Sequence, residues 1–558
     1  MRRDTIKKTA AMWALAVGVW FACGWMLSRG NAFLMDDYTT ITKGMFTPPS
    51  ELFTLLPTQR YNDRPVGNIF AALLQKMFGQ NYQGYHMVFV LVHLASMYLV
   101  YRIALLLFAK RDEKARTCGA FLAAAVFGLY PQSIMAVQWV SAVFDLLGCF
   151  FTVCALYAFL KKDEGGPYRG FYEAGAIASY VVSLRCKEMS ALLPVFFLLY
   201  EVFRWKKREK KRVSLTTCVT LGWMAIYLVR LFTFPAIEAA QYHQAYQLTG
   251  LVRNLLRYIN LYFDLGTGDM VFSGYSWYAL PGGILLVLAI LGALFLVLKK
   301  RRPTTLLCLV GVGLMLAPVL TMDNMQHKLY LYIPSVFLGL MAGELVPAAL
   351  QAGRRNPEAW CVILILLLGL MNCMPGPVLF RNWWCSMAQQ DAGQLKRIER
   401  LGNIPKYCSI YVRGAGQDYN VISPYGPGNS IRFLYERNDM ECSVVEEFPE
   451  KPEEPYIFLD YDGGNFYEVR RDDAYHLEVT KVTYNRLEDK IQLGIECAKI
   501  YPEIQVLVND EPYPTTVGET FISTEIDADS VESGEELRVA VIVRDLDAVS
   551  EPCLITIE

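Results

Sequence analysis

Eleven apolar stretches alternate with clusters of Lys and Arg through residues 1–382, and this alternation restricts the chain to a helical fold embedded in a membrane. A hydrocarbon core of about 30 Å takes roughly 20 apolar residues per helix. The stretches lie near 9–28, 84–108, 117–134, 139–160, 171–186, 188–204, 213–234, 277–298, 304–321, 329–350 and 358–378. Composition agrees: 54% of the chain is hydrophobic and 19% charged, against about 25% charged in a typical soluble domain.

Charge divides the chain in two. Residues 1–382 carry 37 Lys and Arg against 20 Asp and Glu, whereas residues 383–558 carry 16 against 34. The basic residues sit in separated clusters: Arg2 to Lys8, Lys110 to Arg116, Lys161 and Lys162, Lys206 to Arg212, Lys299 to Arg302, and Arg354 with Arg355. With eleven spans and a cytoplasmic N-terminus, every cluster falls on the cytoplasmic side. The acidic C-terminal region and the loop 29–83 then lie outside the cytoplasm, as in a protein of the cytoplasmic membrane of a prokaryote. The clusters form no continuous patch, which argues against nucleic acid as a partner. Residues 2–28 have the length of a span and no small-residue cleavage site, so they are expected to be a retained anchor. Nine of the fourteen cysteines lie in or beside apolar stretches. Cys385, Cys408, Cys442, Cys497 and Cys553 remain outside, with no Cys or His spacing that suits structural zinc.

Charged groups are expensive in a membrane protein and mark where it works. Here they gather at the outer ends of the spans. Asp36 and Asp37 follow the first span, and adjacent carboxylates near an apolar surface can have their pKa values pushed apart, leaving one as a general base. Arg64 stands in the same loop, before an amphipathic stretch, 68–78, suited to the interface. Asp145 lies near the outer end of the fourth span, Lys187 and Glu188 fill the link between the fifth and sixth, Arg230 ends the seventh, and His327 and Lys328 open the tenth. Cations at that level can grip a phosphate whose lipid tail lies in the bilayer. Snorkelling to the interface is the alternative for each basic residue taken alone. His86 and His93, with apolar neighbours and no carboxylate in register, read as interior histidines.

Five segments, in this order and sidedness, resemble the polytopic GT-C glycosyltransferases, in particular the branch of protein O-mannosyltransferases and transmembrane and tetratricopeptide-repeat O-mannosyltransferases. They are Asp36-Asp37-Tyr38; Arg64-Pro65 with Gly84-Tyr85-His86 and His93; Tyr130-Pro131 through the run 136–141 (AVQWVS) to Asp145; Lys187-Glu188 with Pro194; and the run 330–335 (YLYIPS). The resemblance implies a sugar on a polyprenyl phosphate as donor, inversion at the anomeric carbon, and Asp36 as base with Asp37 beside it. From their position at the outer span ends, Arg230, Lys328, Lys187 and His327 are expected around the donor phosphate, and Arg64, Asp145 and Glu188 as positioning or second acidic groups. Some relatives use a divalent cation; here Asp36 and Asp37 would be its ligands. The acceptor is open among a protein, a lipid and an envelope glycan. Met135 stands where many relatives place Glu, and Lys328-Leu329 replaces their Glu-Arg. The tetratricopeptide repeats are absent.

The expected architecture is thus a polytopic α-helical membrane domain, 1–382, GT-C-like with about eleven spans, followed by an extracytoplasmic α/β unit, 383–470, and a β-sandwich, 471–558. The last rests on short alternating runs at 476–483, 490–497, 504–508, 521–526, 537–543 and 554–557. A flippase or transporter for polyprenyl-linked glycans, which would favour polar mid-membrane residues and inverted repeats, and a membrane-anchored presentation module are the competing readings.

Overall fold

The computed structural model describes residues 2–20, 22, 31–59, 63–204, 213–234, 246–275, 303–352, 356–415, 421–422, 428–453, 455–475, 477–501, 503–518, 521–546 and 548–558. The chain divides into two compact units, Met1–Ala392 and Gly393–Glu558.

The first unit is helical. Its elements are α1 (Arg2–Trp20), α2 (Asp36–Phe46), α3 (Pro65–Phe78), α4 (Tyr82–Leu107), α5 (Glu113–Leu129), the short α6 (Ile134–Gln138), α7 (Val143–Lys161), α8 (Arg169–Cys186), α9 (Leu193–Arg204), α10 (Leu215–Thr233), α11 (Leu248–Phe263), α12 (Pro303–Leu320), α13 (Tyr332–Ala352), α14 (Pro357–Met371) and α15 (Pro375–Glu399), which runs past the unit boundary. Four segments are long and apolar enough to cross a membrane: Tyr82–Leu107, Val140–Glu164, Leu215–Thr233 and Lys328–Pro347. Two bent pairs, α5 with Pro131–Gln138 (51°) and α14 with α15 (42°), raise the number to six among the described residues. A proline opens the second helix of each pair, at Pro131 and Pro375, where the missing N–H interrupts the hydrogen-bond ladder. The expected span at 277–298 lies outside the described residues.

Glycine sets how closely α5 and α13 approach. A Cβ on Gly343 would stand 2.3 Å from the Gly119 carbonyl oxygen, one on Gly119 equally close to that of Gly343, and one on Gly339 2.6 Å from that of Ala123. Small residues four apart on both helices therefore let the two backbones touch, the usual way helices pack where lipid removes any hydrophobic drive between them. On α9, Glu201 is fully buried and accepts from Lys162 at 3.3 Å and from the Ser214 N–H at 2.9 Å. One lysine of an expected cytoplasmic cluster is thereby an internal staple.

Two amphipathic helices flank the spans. On α3, Leu73 and Met77 are exposed while Ala71, Ala72 and Leu74 are buried. Helix α11 was not among the elements expected from sequence, although its pattern carries the signal: Leu248, Val252, Leu255 and Leu256 share an exposed apolar face. Its other side is tied down by Arg257, which donates to the Asp323 carbonyl at 2.7 Å, and by Asn254, which donates to the Leu320 and Met322 carbonyls.

In the second unit, β1 (Ser409–Arg413) runs parallel to β2 (Glu441–Val445) and β3 (Tyr456–Asp462), with β4 (Asn465–Asp472) antiparallel to β3, in the order β2-β1-β3-β4. Helix α16 (Asn429–Tyr435) lies between β1 and β2 in the chain. Two antiparallel sheets complete the unit: β5 (Val479–Arg486), β6 (Lys490–Cys497), β10 (Ile522–Asp527) and β9 (Thr515–Val517) in that order, and β12 (Ala548–Val549), β11 (Glu536–Val543), β7 (Ile504–Val508) and β8 (Glu511–Tyr513), with β13 (Cys553–Thr556) on β11. Ile491, Leu493 and Ile495 of β6 (Lys490–Cys497) face Val506 of β7 (Ile504–Val508) and Val539 and Val541 of β11 (Glu536–Val543) in one core. The runs at 490–497 and 504–508 are strands over those residues. Asn509 and Asp510 both have positive φ, 51° and 67°, as a two-residue hairpin turn of matching twist requires. Short edge strands such as β12 (Ala548–Val549) are too brief to leave an alternating pattern.

Gly343→Val should destabilise the membrane unit by at least about 2 kcal/mol, because the added side chain meets backbone that cannot rotate away. Thermal unfolding of the detergent-solubilised protein measures this; a melting temperature equal to wild type would refute the close α5–α13 contact.

Candidate active site

The acidic pair begins α2, and its two carboxylates have different surroundings. Asp37 is fully buried; its Oδ2 accepts from the Leu34 N–H at 2.9 Å and its Oδ1 from the Ser141 N–H at 2.7 Å. The first bond closes the N-terminus of α2 on itself. The second crosses to the break between α6 and α7, where Trp139 is extended and a 3-10 turn, Val140–Ala142, begins. An N–H at such a break has no helical partner, which frees Ser141 for the carboxylate. Thr40 and Ser141 add a hydroxyl pair at 2.9 Å. Asp36 is half-buried, and among the described residues its carboxylate has no hydrogen bond or ion pair. Met35 before it has φ 55° and ψ −120°, a conformation that costs a non-glycine residue about 1–3 kcal/mol and persists only when surrounding contacts impose it.

Burial, with the Asp36 charge adding to it, pushes Asp37 up to about 8, against the pull of its two amide donors. Burial also raises Asp36. Of the two, Asp36 is the carboxylate whose oxygens are left open to another group. Among the described residues no group of three or more His, Cys, Asp or Glu could hold a metal ion.

The segment between α6 and α7 links this pair to the His327–Lys328 turn. The Gln138 carbonyl accepts from the Tyr82 hydroxyl, which accepts in turn from Asn31 Nδ2 at 2.8 Å. The Trp139 ring stacks on His327 with centroids 6.1 Å apart and 24° between planes, and meets Trp384 edge-on at 5.8 Å. His327 Nδ1 accepts from the Leu329 N–H at 3.1 Å, which leaves the ring proton on Nε2. Burial, together with the Lys187 and Lys328 charges, holds its pKa down at about 3, so the imidazole is neutral. Lys328 is buried, its ammonium makes no ion pair among the described residues, and it lines a small cavity with Gln132, Met135, Asp264 and Phe380.

Four further charges form two pairs. Lys187 donates to Asp145 at 2.5 Å and lies over the Tyr330 ring at 4.7 Å; Arg64 donates to Glu188 at 3.0 Å and lies over the Phe144 ring at 5.5 Å. Arg64 itself is left-handed, φ 51°, at the start of α3. The structure thus brings Arg64, Asp145, Lys187 and Glu188 together as a balanced set, with Lys187 spent on a carboxylate. Arg230 is exposed, donating to the Pro57 carbonyl at 3.1 Å with its guanidinium 4.6 Å from the Phe234 ring. Fully buried Arg185 binds the Thr54 carbonyl at 2.9 Å, the Thr54 hydroxyl and Asp63, fastening the segment between α2 and α3 to the end of α8. His93 bridges the Tyr332 hydroxyl and the Gly128 carbonyl, and His86 stacks on Tyr82.

Sequence reasoning missed the role of Ser141 and the strain at Met35. A main-chain N–H donor is the same in every residue type, and a positive φ at Met has no sequence signature. Gln138 and Trp139 lie inside the run 136–141 that carried the resemblance, but nothing in that run shows which polar atoms find partners.

No protein-family model matches the chain, and no curated protein matches it. In structure it is similar to the Archaeoglobus fulgidus oligosaccharyltransferase tethered with an acceptor peptide, at 13% identity and a TM-score of 0.44 over 78% of this chain; the match spans 63% of that protein's length. It is also similar to ArnT from Cupriavidus metallidurans, at 15% identity in both states: the apo state at a TM-score of 0.42 over 80% of this chain and 86% of ArnT, and the form bound to undecaprenyl phosphate at 0.39 over 78% and 85%.

Two measurements test this geometry. Lys187→Met alone leaves Asp145 a buried unpaired charge and should cost about 3–5 kcal/mol, whereas Lys187→Met with Asp145→Leu should recover most of it; a double variant no more stable than the single would refute the pair. For Asp37, the folded-state pKa lies above the ordinary value of 3.8. The folded state therefore holds the proton more tightly, and this group's contribution is greatest below about 4 and lost as pH rises towards 8. Unfolding temperatures between pH 5 and 9 should fall for wild type and vary less for Asp37→Asn; parallel curves would show that Asp37 does not titrate there.

Proposed function

We propose that the chain is a membrane glycosyltransferase of GT-C type that moves a sugar from a polyprenyl-phosphate donor to an acceptor on the outer face of the membrane. The supporting observation is the division of labour in the acidic pair: Asp37 is saturated by main-chain donors while Asp36, beside it, has no partner among the described residues. In this reading Asp36 takes the proton from an acceptor hydroxyl as that oxygen attacks the anomeric carbon from the side opposite the phosphate. The new glycosidic C–O bond forms with inversion, the bond from the anomeric carbon to the phosphate oxygen breaks, and polyprenyl phosphate leaves. Lys328, a buried ammonium with no ion pair among the described residues, and the Nε2–H of His327 hold the departing phosphate. Arg230 meets the carrier at the exposed edge. Asp145 with Lys187 and Arg64 with Glu188 hold α3, α7 and the α8–α9 link in place, Lys187 adding positive field next to His327. The resemblance to the O-mannosyltransferase branch suggests a mannose-like sugar, and eleven spans with a cytoplasmic N-terminus would place Asp36 and the second unit, with its α/β and sandwich parts, outside the cytoplasm.

The test uses the full chain in nanodiscs with polyprenyl-phosphate hexose as donor and peptide, lipid and glycan fractions as acceptors. Asp36→Asn, nearly isosteric, should lower turnover by about 10²- to 10⁴-fold. Lys328→Ala should raise the donor concentration needed by about ten- to a hundred-fold through loss of a charge-assisted hydrogen bond, with Lys328→Arg retaining more activity. Wild-type turnover in Asp36→Asn would end the reading of Asp36 as base.

A further inference from the structure

Buried polar groups without partners are rare in folded proteins, because each gives up its hydration for nothing in return. Two adjacent residues of the α6–α7 break supply three such atoms. Gln138 is 1% exposed, and neither its Oε1 nor its Nε2 has a hydrogen bond. The indole N–H of Trp139 is unpartnered as well, and so is that of Trp384, the ring set edge-on against it. Four polar atoms on three side chains are therefore left idle beside a backbone that is itself bonded at Gln138 and Ser141.

Their position gives the idleness meaning. The Gln138 carbonyl is held by the Tyr82 hydroxyl, and three residues on the Ser141 N–H is bonded to Asp37, beside Asp36. On the other side the Trp139 ring lies on His327, next to Lys328. The dipeptide thus runs between the carboxylate proposed as base and the cation proposed to hold the phosphate. In the glycosyltransferase reading, the sugar ring of a donor with its phosphate at Lys328 and its anomeric carbon facing Asp36 lies along this stretch. We infer that Gln138, Trp139 and Trp384 are the specificity-determining residues for the transferred sugar, and that they select an uncharged, hydroxyl-rich ring of hexose type; this rests on the glycosyltransferase reading.

The chemistry of the four atoms sets the class. An amide presents an acceptor oxygen and two N–H donors, and each indole presents one donor. A sugar hydroxyl both donates and accepts, so a run of hydroxyls can satisfy all of them at once. A uronate would bring a carboxylate to groups that offer it no counter-charge, Lys328 being committed to the phosphate. An amino sugar would bring an ammonium, a donor only, to a set made mostly of N–H donors, which it cannot satisfy.

The experiment uses the full chain in nanodiscs and polyprenyl-phosphate donors carrying a neutral hexose, each of its single-deoxy analogues, the matching uronate and the matching amino sugar. Wild type should use the neutral hexose best and lose about ten-fold or more in kcat/KM with at least one deoxy analogue. Gln138→Leu should lose a similar factor with the hexose and nothing further with that same analogue, since the hydroxyl and its partner are then removed together. Trp139→Phe keeps an aromatic ring, removes the N–H with the five-membered ring that carries it, and should show the same pattern at another hydroxyl; it also covers the case that Gln138→Leu fails to fold. Equal losses for all donors, with deoxy discrimination intact in both variants, would assign these residues a structural role and overturn the inference, as would a wild-type preference for the uronate or the amino sugar. Transfer that depends on Asp36 yet ignores both substitutions would sink this inference alone. Failure of any sugar to move from any of these donors would sink the glycosyltransferase reading with it.

Discussion

The bond from the Ser141 N–H to the buried Asp37 carboxylate ties the rest of the first unit's site together. It joins the start of α2 to the break between α6 and α7, segments about a hundred residues apart in the chain, and it exists because both are interrupted. A continuous helix from Ile134 into α7 would have spent that N–H on its own ladder. The same carboxylate closes the first turn of α2 through Leu34, so Met35 is held in a conformation it would otherwise leave. The consequence is asymmetry: one carboxylate is saturated by main-chain donors, and its neighbour is left open.

A second ordering principle is charge balance under burial. Arg64, Glu188, Lys187 and Asp145 neutralise one another, and each pair crosses between elements far apart in sequence. Removing a partner leaves a buried charge uncompensated, which is why such pairs fix geometry even where their net contribution to stability is small. Against this neutral background Lys328 stands out as a buried ammonium with no carboxylate in ion-pair contact among the described residues. The contrast between Lys187 and Lys328, both at the ends of helical segments, shows that such a position does not tell a structural cation from an available one. Partners do.

Much of the architecture was legible in residue order because its physics is local or averaged. Apolar runs of span length, bounded by basic clusters, require helices in a bilayer whatever their neighbours are. Alternation in 490–497 and 504–508 required strands with one buried face, and the structure has them. The missed pieces have equally plain reasons. Helix α11 has a polar face used for Asp323 and an apolar face left exposed, so it resembled neither a span nor a core helix. The edge strands β8 (Glu511–Tyr513), β9 (Thr515–Val517) and β12 are two or three residues long, below the length at which alternation can be seen.

The sequence by itself determined that this chain enters a membrane as a bundle of helices, that an acidic region with β-structure comes after it, and that Asp36 and Asp37 stand together after the first span. Composition and periodicity suffice for these, since they depend on how each stretch meets lipid or water. Only the tertiary structure decided which carboxylate is occupied and which is open, that Lys187 is paired and Lys328 is not, and that Gln138 and Trp139 keep buried polar atoms without partners. Those outcomes turn on main-chain donors and on contacts between residues about 40 to 240 positions apart, and neither leaves a mark on the identity of the residues involved.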